Sequence, residues 1–277
     1  MIIDAHHHFW RYNPHEFGWI PDEWSLLRRD FLPVNLGAAL PETGVAGVIS
    51  VQARRCMAET EFLLAQAEVC SLVRGVVGWV PMTDGATAEH LARYVENQHL
   101  VGVREILQGH ADEEFLANPV YHRGLEAVVA AKLRYDLLVF HHQLPSAIAC
   151  VDRHPDLTFI LNHIAKPEIQ RNEFDAEWAR KLSELARRPN VWCKFSGLVT
   201  EVREPEWTVE LLQPYFDAAF AAFGSKRLMY GSDWPVCLAR SRYIDWLDAV
   251  QRLALNLSAD DRRDFLGANA IRAYCLE

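Results

Sequence analysis

Ile2-Ile3-Asp4-Ala5-His6-His7-His8 reads as an apolar strand that turns polar at its carboxyl end. Side chains two apart on a strand point the same way, so His6 and His8 can converge on one ion or one substrate. The competing reading, an affinity-tag remnant or a plain polar strand end, lacks tag flanks and ignores the apolar lead-in. The pattern recurs. Apolar runs rich in β-branched residues at 2–8, 45–52, 73–80, 101–107, 136–142, 157–163, 190–197 and 227–233 alternate with helical patterns such as 59–70, 88–97, 124–133, 145–153, 175–188 and 205–223. Two further helical segments, 245–255 and 258–266, close the chain.

Near-continuous apolar strands separated by helices imply a parallel sheet covered on both faces. Eight such units in 277 residues fit the α/β class as a (β/α)8 TIM barrel, a fold that takes about 250 residues. An open doubly wound sheet would carry a glycine-rich phosphate turn, and no G-x-G-x-x-G occurs. No linker or change of charge regime divides the sequence, so residues 1–277 are expected to form a single barrel domain. One stretch breaks the rhythm: residues 9–40, with Trp10, Trp19, Trp24, Pro14 and Pro21, form a long lid-like excursion too aromatic for disorder.

The composition, 50% hydrophobic and 23% charged, is that of an ordinary globular protein and excludes collagen-like, disordered and disulfide-stapled classes. With 37 acidic against 28 basic side chains the net charge is −9, which argues against nucleic acid as a partner. No run is long and apolar enough for a membrane span. The opening Met1-Ile2-Ile3-Asp4 lacks the basic and then apolar regions of a signal peptide, and six scattered cysteines without a C-x-x-C read as reduced thiols. A cytoplasmic protein is expected.

In a barrel, chemistry occupies the carboxyl ends of the strands. The polar residues gather there: Gln52 on the second strand, Arg104 and Glu105 on the fourth, His141-His142-Gln143 on the fifth and Asn162-His163 with Lys166 beyond on the sixth. The seventh strand carries Lys194 and Ser196, and the eighth ends in Ser232-Asp233. A carboxylate at the end of a buried strand must meet cations, donors or a metal; its plainer roles are a helix cap or a structural ion pair. His163 is otherwise a buried histidine bonded to backbone. Only one of the adjacent His141 and His142 can face the mouth. Arg104 and Lys194 either serve the site or pair with neighbouring acids. The three tryptophans read equally well as packing of the excursion.

With these residues in view, the chain resembles the amidohydrolase superfamily (amidohydrolase 2 type), and within it the sugar-lactone hydrolase branch of L-fuconolactonases and L-rhamnonolactonases. The likeness runs through Asp4-Ala5-His6-His7-His8-Phe9-Trp10, Glu59-Thr60-Glu61-Phe62-Leu63-Leu64, Val101-Gly102-Val103-Arg104 and Asp136-Leu137-Leu138-Val139. It continues through Asn162-His163-Ile164-Ala165-Lys166-Pro167, Lys194-Phe195-Ser196-Gly197-Leu198 and Gly231-Ser232-Asp233-Trp234-Pro235-Val236. The resemblance implies a distorted barrel with His6, His8, His163 and Asp233 around the reaction centre, positions that hold a divalent metal in many relatives. No lysine placed to be carboxylated as a bridge ends the fourth or fifth strand. At most a single zinc ion on His6, His8, His163 and Asp233 is therefore expected, and lactonase-branch relatives can work without a required metal.

The activity implied is hydrolysis of a sugar-acid lactone, an aldonolactone such as L-fuconolactone, to the open-chain aldonate in sugar catabolism. Asp233 would be the general base on water, and His6, His8 and His163 would hold the oxyanion through zinc or directly. Arg104, His141 or His142, and Lys166 or Lys194 would hydrogen-bond the hydroxyls, with Trp10 across the sugar ring if the excursion closes there. Two other classes share the constellation: a metal-dependent, non-oxidative decarboxylase of the same superfamily, and a non-catalytic sugar-binding barrel.

Overall fold

The computed structural model describes residues 1–276, the side chain of Glu113 excepted. Eight strands pair in chain order: β1 (Ile2–His7), β2 (Val45–Val51), β3 (Val73–Gly78), β4 (Leu100–Ile106), β5 (Arg134–Leu138), β6 (Phe159–Leu161), β7 (Val191–Phe195) and β8 (Leu228–Tyr230). Each consecutive pair is parallel. The ends meet just beyond β8, where His7 bridges Trp234 and the Asp233 amide donates to the His6 carbonyl at 2.7 Å. The seam of the barrel thus lies at the carboxyl ends of its strands.

Between strands run α1 (Pro33–Ala39), α2 (Met57–Val69), α3 (Thr87–Ala92), α4 (Pro119–Ala130), α5 (Leu144–Arg153), α6 (Ala176–Ala186) and α7 (Val209–Arg227), followed by α8 (Tyr243–Leu253), α9 (Ala259–Arg263) and α10 (Asn269–Tyr274). Several starts are written in the sequence. Asn118, Asp175, Thr208 and Ser258 each cap a first turn by accepting from a backbone N–H of that turn. Among the described residues no helix is long and apolar enough to cross a membrane.

The barrel interior is layered. At the amino end Ile3, Ile49, Val77, Ile160 and Met229 pack with Ala270, Ala273 and Tyr274 of α10, which plugs that end. Above them lies a polar layer of Arg104, Asp136, Asn162 and Lys194, all nearly or fully buried. Residues 9–40 are ordered around an aromatic cluster in which Trp10 packs on Phe17, Trp19 and Phe31, and the Trp10 and Phe31 backbones exchange hydrogen bonds.

Candidate active site

Asp233 sits among three imidazoles. Its Oδ1 lies 3.3 Å from His8 Nε2, 3.6 Å from His6 Nε2 and 4.0 Å from His163 Nε2. The two β1 histidines approach each other to 3.2 Å through their Nε2 atoms. Period two alone does not put them there. Ile3 and Ala5 belong to the apolar interior, and a register shift between Asp4 and His7 hands the inward face to His6 and His8.

The same shift frees Asp4 to tie the seam. Its fully buried carboxylate accepts from the Ser232 amide at 2.8 Å, the Ser232 hydroxyl at 2.5 Å, the Tyr243 hydroxyl at 2.9 Å and the His6 amide at 3.1 Å. Asp4 therefore fixes the residue before Asp233 to the strand that carries both histidines.

His163 is delivered by an unusual backbone. His163, Ile164, Ala165 and Lys166 have φ of +53°, +45°, +62° and +51°, a left-handed turn that ordinarily costs about 1–2 kcal/mol per residue. The turn is braced where Lys166 N donates to the His163 carbonyl at 2.8 Å and Trp178 Nε1 to the Ile164 carbonyl at 2.7 Å. Such strain persists only where the surrounding structure holds it, as these bonds do here.

Burial pushes the pKa of His163 down to about 3, against the pull of Asp233, and drives that of His6 well below the ordinary imidazole value, with Lys194 adding to the effect. Burial alone would raise the Asp233 carboxyl, but His163, His8 and Lys166 outweigh it and hold its pKa below the usual carboxylate range. At neutral pH His6 and His163 are therefore neutral beside an ionised carboxylate. His8 Nδ1 lies 2.7 Å from the Val51 carbonyl, which can only accept. Nδ1 thus donates to that carbonyl, and Nε2 is the ring atom that His8 turns toward Asp233.

His6, His8 and Asp233 form a group able to hold a metal ion. Ligands on a tetrahedral zinc at about 2.0–2.1 Å stand about 3.3 Å apart. The separations of 3.2, 3.3 and 3.6 Å fit that shell, and the Val51 bond is the outer contact that a ligating imidazole needs.

The centre forms the floor of a cavity of about 500 Å³. Arg104 and Lys166 reach its wall, and the excursion contributes Trp19 and Trp24.

A family model described as amidohydrolase matches residues 3–276. The chain belongs to the amidohydrolase family. This amidohydrolase is 38% identical to an L-fucono-1,5-lactonase of Burkholderia multivorans, over 100% of this chain and 96% of that protein. It is 34% identical to an L-fucono-1,5-lactonase of Burkholderia ambifaria, over 99% of this chain and 96% of that protein. Among solved structures, a zinc-bound amidohydrolase of Burkholderia multivorans superposes with a TM-score of 0.95 at 38% identity, each chain covered in full.

Within the amidohydrolase the expected residues separate into groups. His6, His8, His163 and Asp233 come together, and Arg104 and Lys166 line the cavity. The others lie elsewhere. The fifth strand stops at Leu138, so His141 and His142 fall in a short 3-10 turn outside the cavity lining. There His141 faces Asp175 at 3.6 Å and the exposed His142 stacks on Phe140. Lys194 is fully buried beneath the centre, 2.5 Å from Asp136 Oδ2 and 3.4 Å from His6 Nδ1, too deep to reach a sugar hydroxyl. Trp10 is 1% exposed behind the wall, its indole N–H on the Arg29 carbonyl, and it is Trp19 and Trp24 that line the cavity.

Two further residues, given no role in the sequence reading, support the site. Ser196 Oγ stands 2.9 Å from His163 Nδ1. Tyr274 OH donates to Asp136 at 2.6 Å, linking the last helix to the layer beneath His6. The position of Ser196 at a strand end is a usable signal; nothing local marks Tyr274.

Proposed function

We propose that this amidohydrolase hydrolyses a sugar-acid lactone, an aldonolactone of the L-fucono-1,5-lactone kind, to the open-chain aldonate. The carrying observation is the Asp233 carboxylate set among His6, His8 and His163 at the floor of a tryptophan-walled cavity, and full-length kinship with two L-fucono-1,5-lactonases supports it.

Asp233 removes a proton from the attacking water as it meets the lactone carbonyl. His163, 2.9 Å from the Ser196 hydroxyl through Nδ1, turns Nε2 to the centre, and in the tautomer protonated there it donates to the developing oxyanion. Asp233 returns its proton to the ring oxygen as the tetrahedral intermediate collapses. An ester leaving group asks less of this acid than an amide would. A divalent ion, for which His6, His8 and Asp233 would be the ligands with His163 beside them, supplies Lewis-acid polarisation of the carbonyl when bound. The reaction fits a cytoplasmic enzyme of sugar catabolism acting on a small free substrate.

A pH-indicator assay across a panel of aldonolactones, with and without chelator, tests this reading. One acid equivalent per ring opened is expected. Absence of turnover on every lactone overturns it, and release of carbon dioxide from an unsaturated acid would move the chain to the decarboxylase class.

A further inference from the structure

Most polar groups on the cavity wall are already spent on protein partners. Lys166 pairs with Glu201 at 3.2 Å, and Arg203 with Glu168 at 3.4 Å. The terminal nitrogens of Arg104 donate to Asn162 Oδ1 at 3.0 Å and to the Gln52 carbonyl, and NH1 lies 3.3 Å from His6 Nε2. Two residues of this wall, Arg104 and Gln108, each keep one polar atom closed off and unpaired. Among the described residues, Gln108 Oε1 and Arg104 Nε are buried without a hydrogen-bond partner.

Their placement is not accidental. Arg104, Ile106 and Gln108 all line the cavity, the alternate residues of β4 and its continuation, where the Gln108 amide donates to the Leu138 carbonyl at 3.1 Å. The unmet capacity is thus one acceptor and one donor along a single strand line. A buried polar group without a partner costs free energy that a ligand can relieve. A carboxylate would be repelled by the amide oxygen and an ammonium by the guanidinium. A hydroxyl both donates and accepts, so it satisfies either atom. With Lys166 and Arg203 already paired to acids, the wall suits a neutral polyhydroxylated ring rather than an acidic lactone.

We propose that Gln108 is a specificity-determining residue whose side-chain oxygen, held by no protein partner and free to turn into the cavity by rotation of its amide, accepts a hydrogen bond from a ring hydroxyl of the lactone. This inference rests on the lactonase reading and narrows it to neutral, hydroxyl-bearing lactones. A site built to bond a hydroxyl discriminates strongly against a ring that lacks it.

The test compares wild type, Gln108→Leu and Gln108→Glu on L-fucono-1,5-lactone and on unsubstituted δ-valerolactone, with Tm measured for each protein. Gln108→Leu is expected to lower kcat/KM on the sugar lactone about tenfold or more, chiefly through KM, with a much smaller change on the bare ring. Its Tm should hold or rise, because an unpartnered acceptor is replaced by an apolar group. Gln108→Glu keeps an acceptor and should recover part of the lost selectivity. Equal losses on both rings, or a loss accompanied by a lower Tm, would give Gln108 a structural role and overturn the inference. So would unchanged selectivity. Wild type that opens neither ring overturns the lactonase reading, and this inference with it.

Discussion

Gly197 leaves room for the His163 imidazole and for nothing more: a Cβ at position 197 would lie 2.6 Å from His163 Nδ1 and 3.0 Å from Asp233 Oδ2. Its φ of +71° is also one that other residues adopt only with strain. Gly197→Ala is therefore expected to push His163 off Asp233 and cut kcat by about tenfold or more, since displacements of about 1 Å cost that much. Circular dichroism should still report an α/β protein. Kinetics equal to wild type would show that the tight contact has no hold on His163.

Arg104 reads differently in the structure than in the sequence. Its terminal nitrogens serve Asn162, Gln52 and His6 rather than open solvent, and the residue is 4% exposed. Arg104→Met should lower kcat and kcat/KM together on both a sugar lactone and a bare ring, because His6 loses its neighbour along with the substrate. A rise in KM alone, confined to the sugar, would return Arg104 to a purely hydroxyl-binding role.

Metal analysis bears on the shell of His6, His8 and Asp233. Protein equilibrated with zinc and freed of excess is expected to retain no more than a single ion per chain, and His8→Asn to lose it. Two ions per chain would contradict a centre without a bridging lysine. Full activity in chelator leaves lactone hydrolysis standing on the imidazoles, and it excludes the metal-dependent decarboxylase.

How far the sequence can be read follows from what each signal measures. The apolar runs locate all eight strands because burial on both faces leaves a composition trace. They overshoot at the fifth strand because Val139 and Phe140 stay apolar after pairing has ended at Leu138; hydrophobicity reports burial, not hydrogen bonding. His6, His8 and Asp233 were legible because strand period and the cost of a buried charge are local arguments. Lys194 was not, since the groups that claim it are Asp136 and, through it, Tyr274 from the far end of the chain. The choice among Trp10, Trp19 and Trp24 depends on the path of residues 9–40, where the Trp10 indole is taken up by the Arg29 carbonyl and the Phe31 ring.

Asp233→Asn tests the mechanism most directly. Asp233 has φ +59°, a conformation that Asn tolerates well, so the substitution removes the base while keeping shape. On L-fucono-1,5-lactone, kcat should fall by about 10² or more. Because its neighbours hold the Asp233 pKa below the usual carboxylate range, the wild-type rate should be lost only as acid protonates that carboxylate, rise with pH from there, and then level. Turnover by Asp233→Asn at the wild-type rate, or a wild-type rate that peaks below about pH 5, would contradict Asp233 as the base.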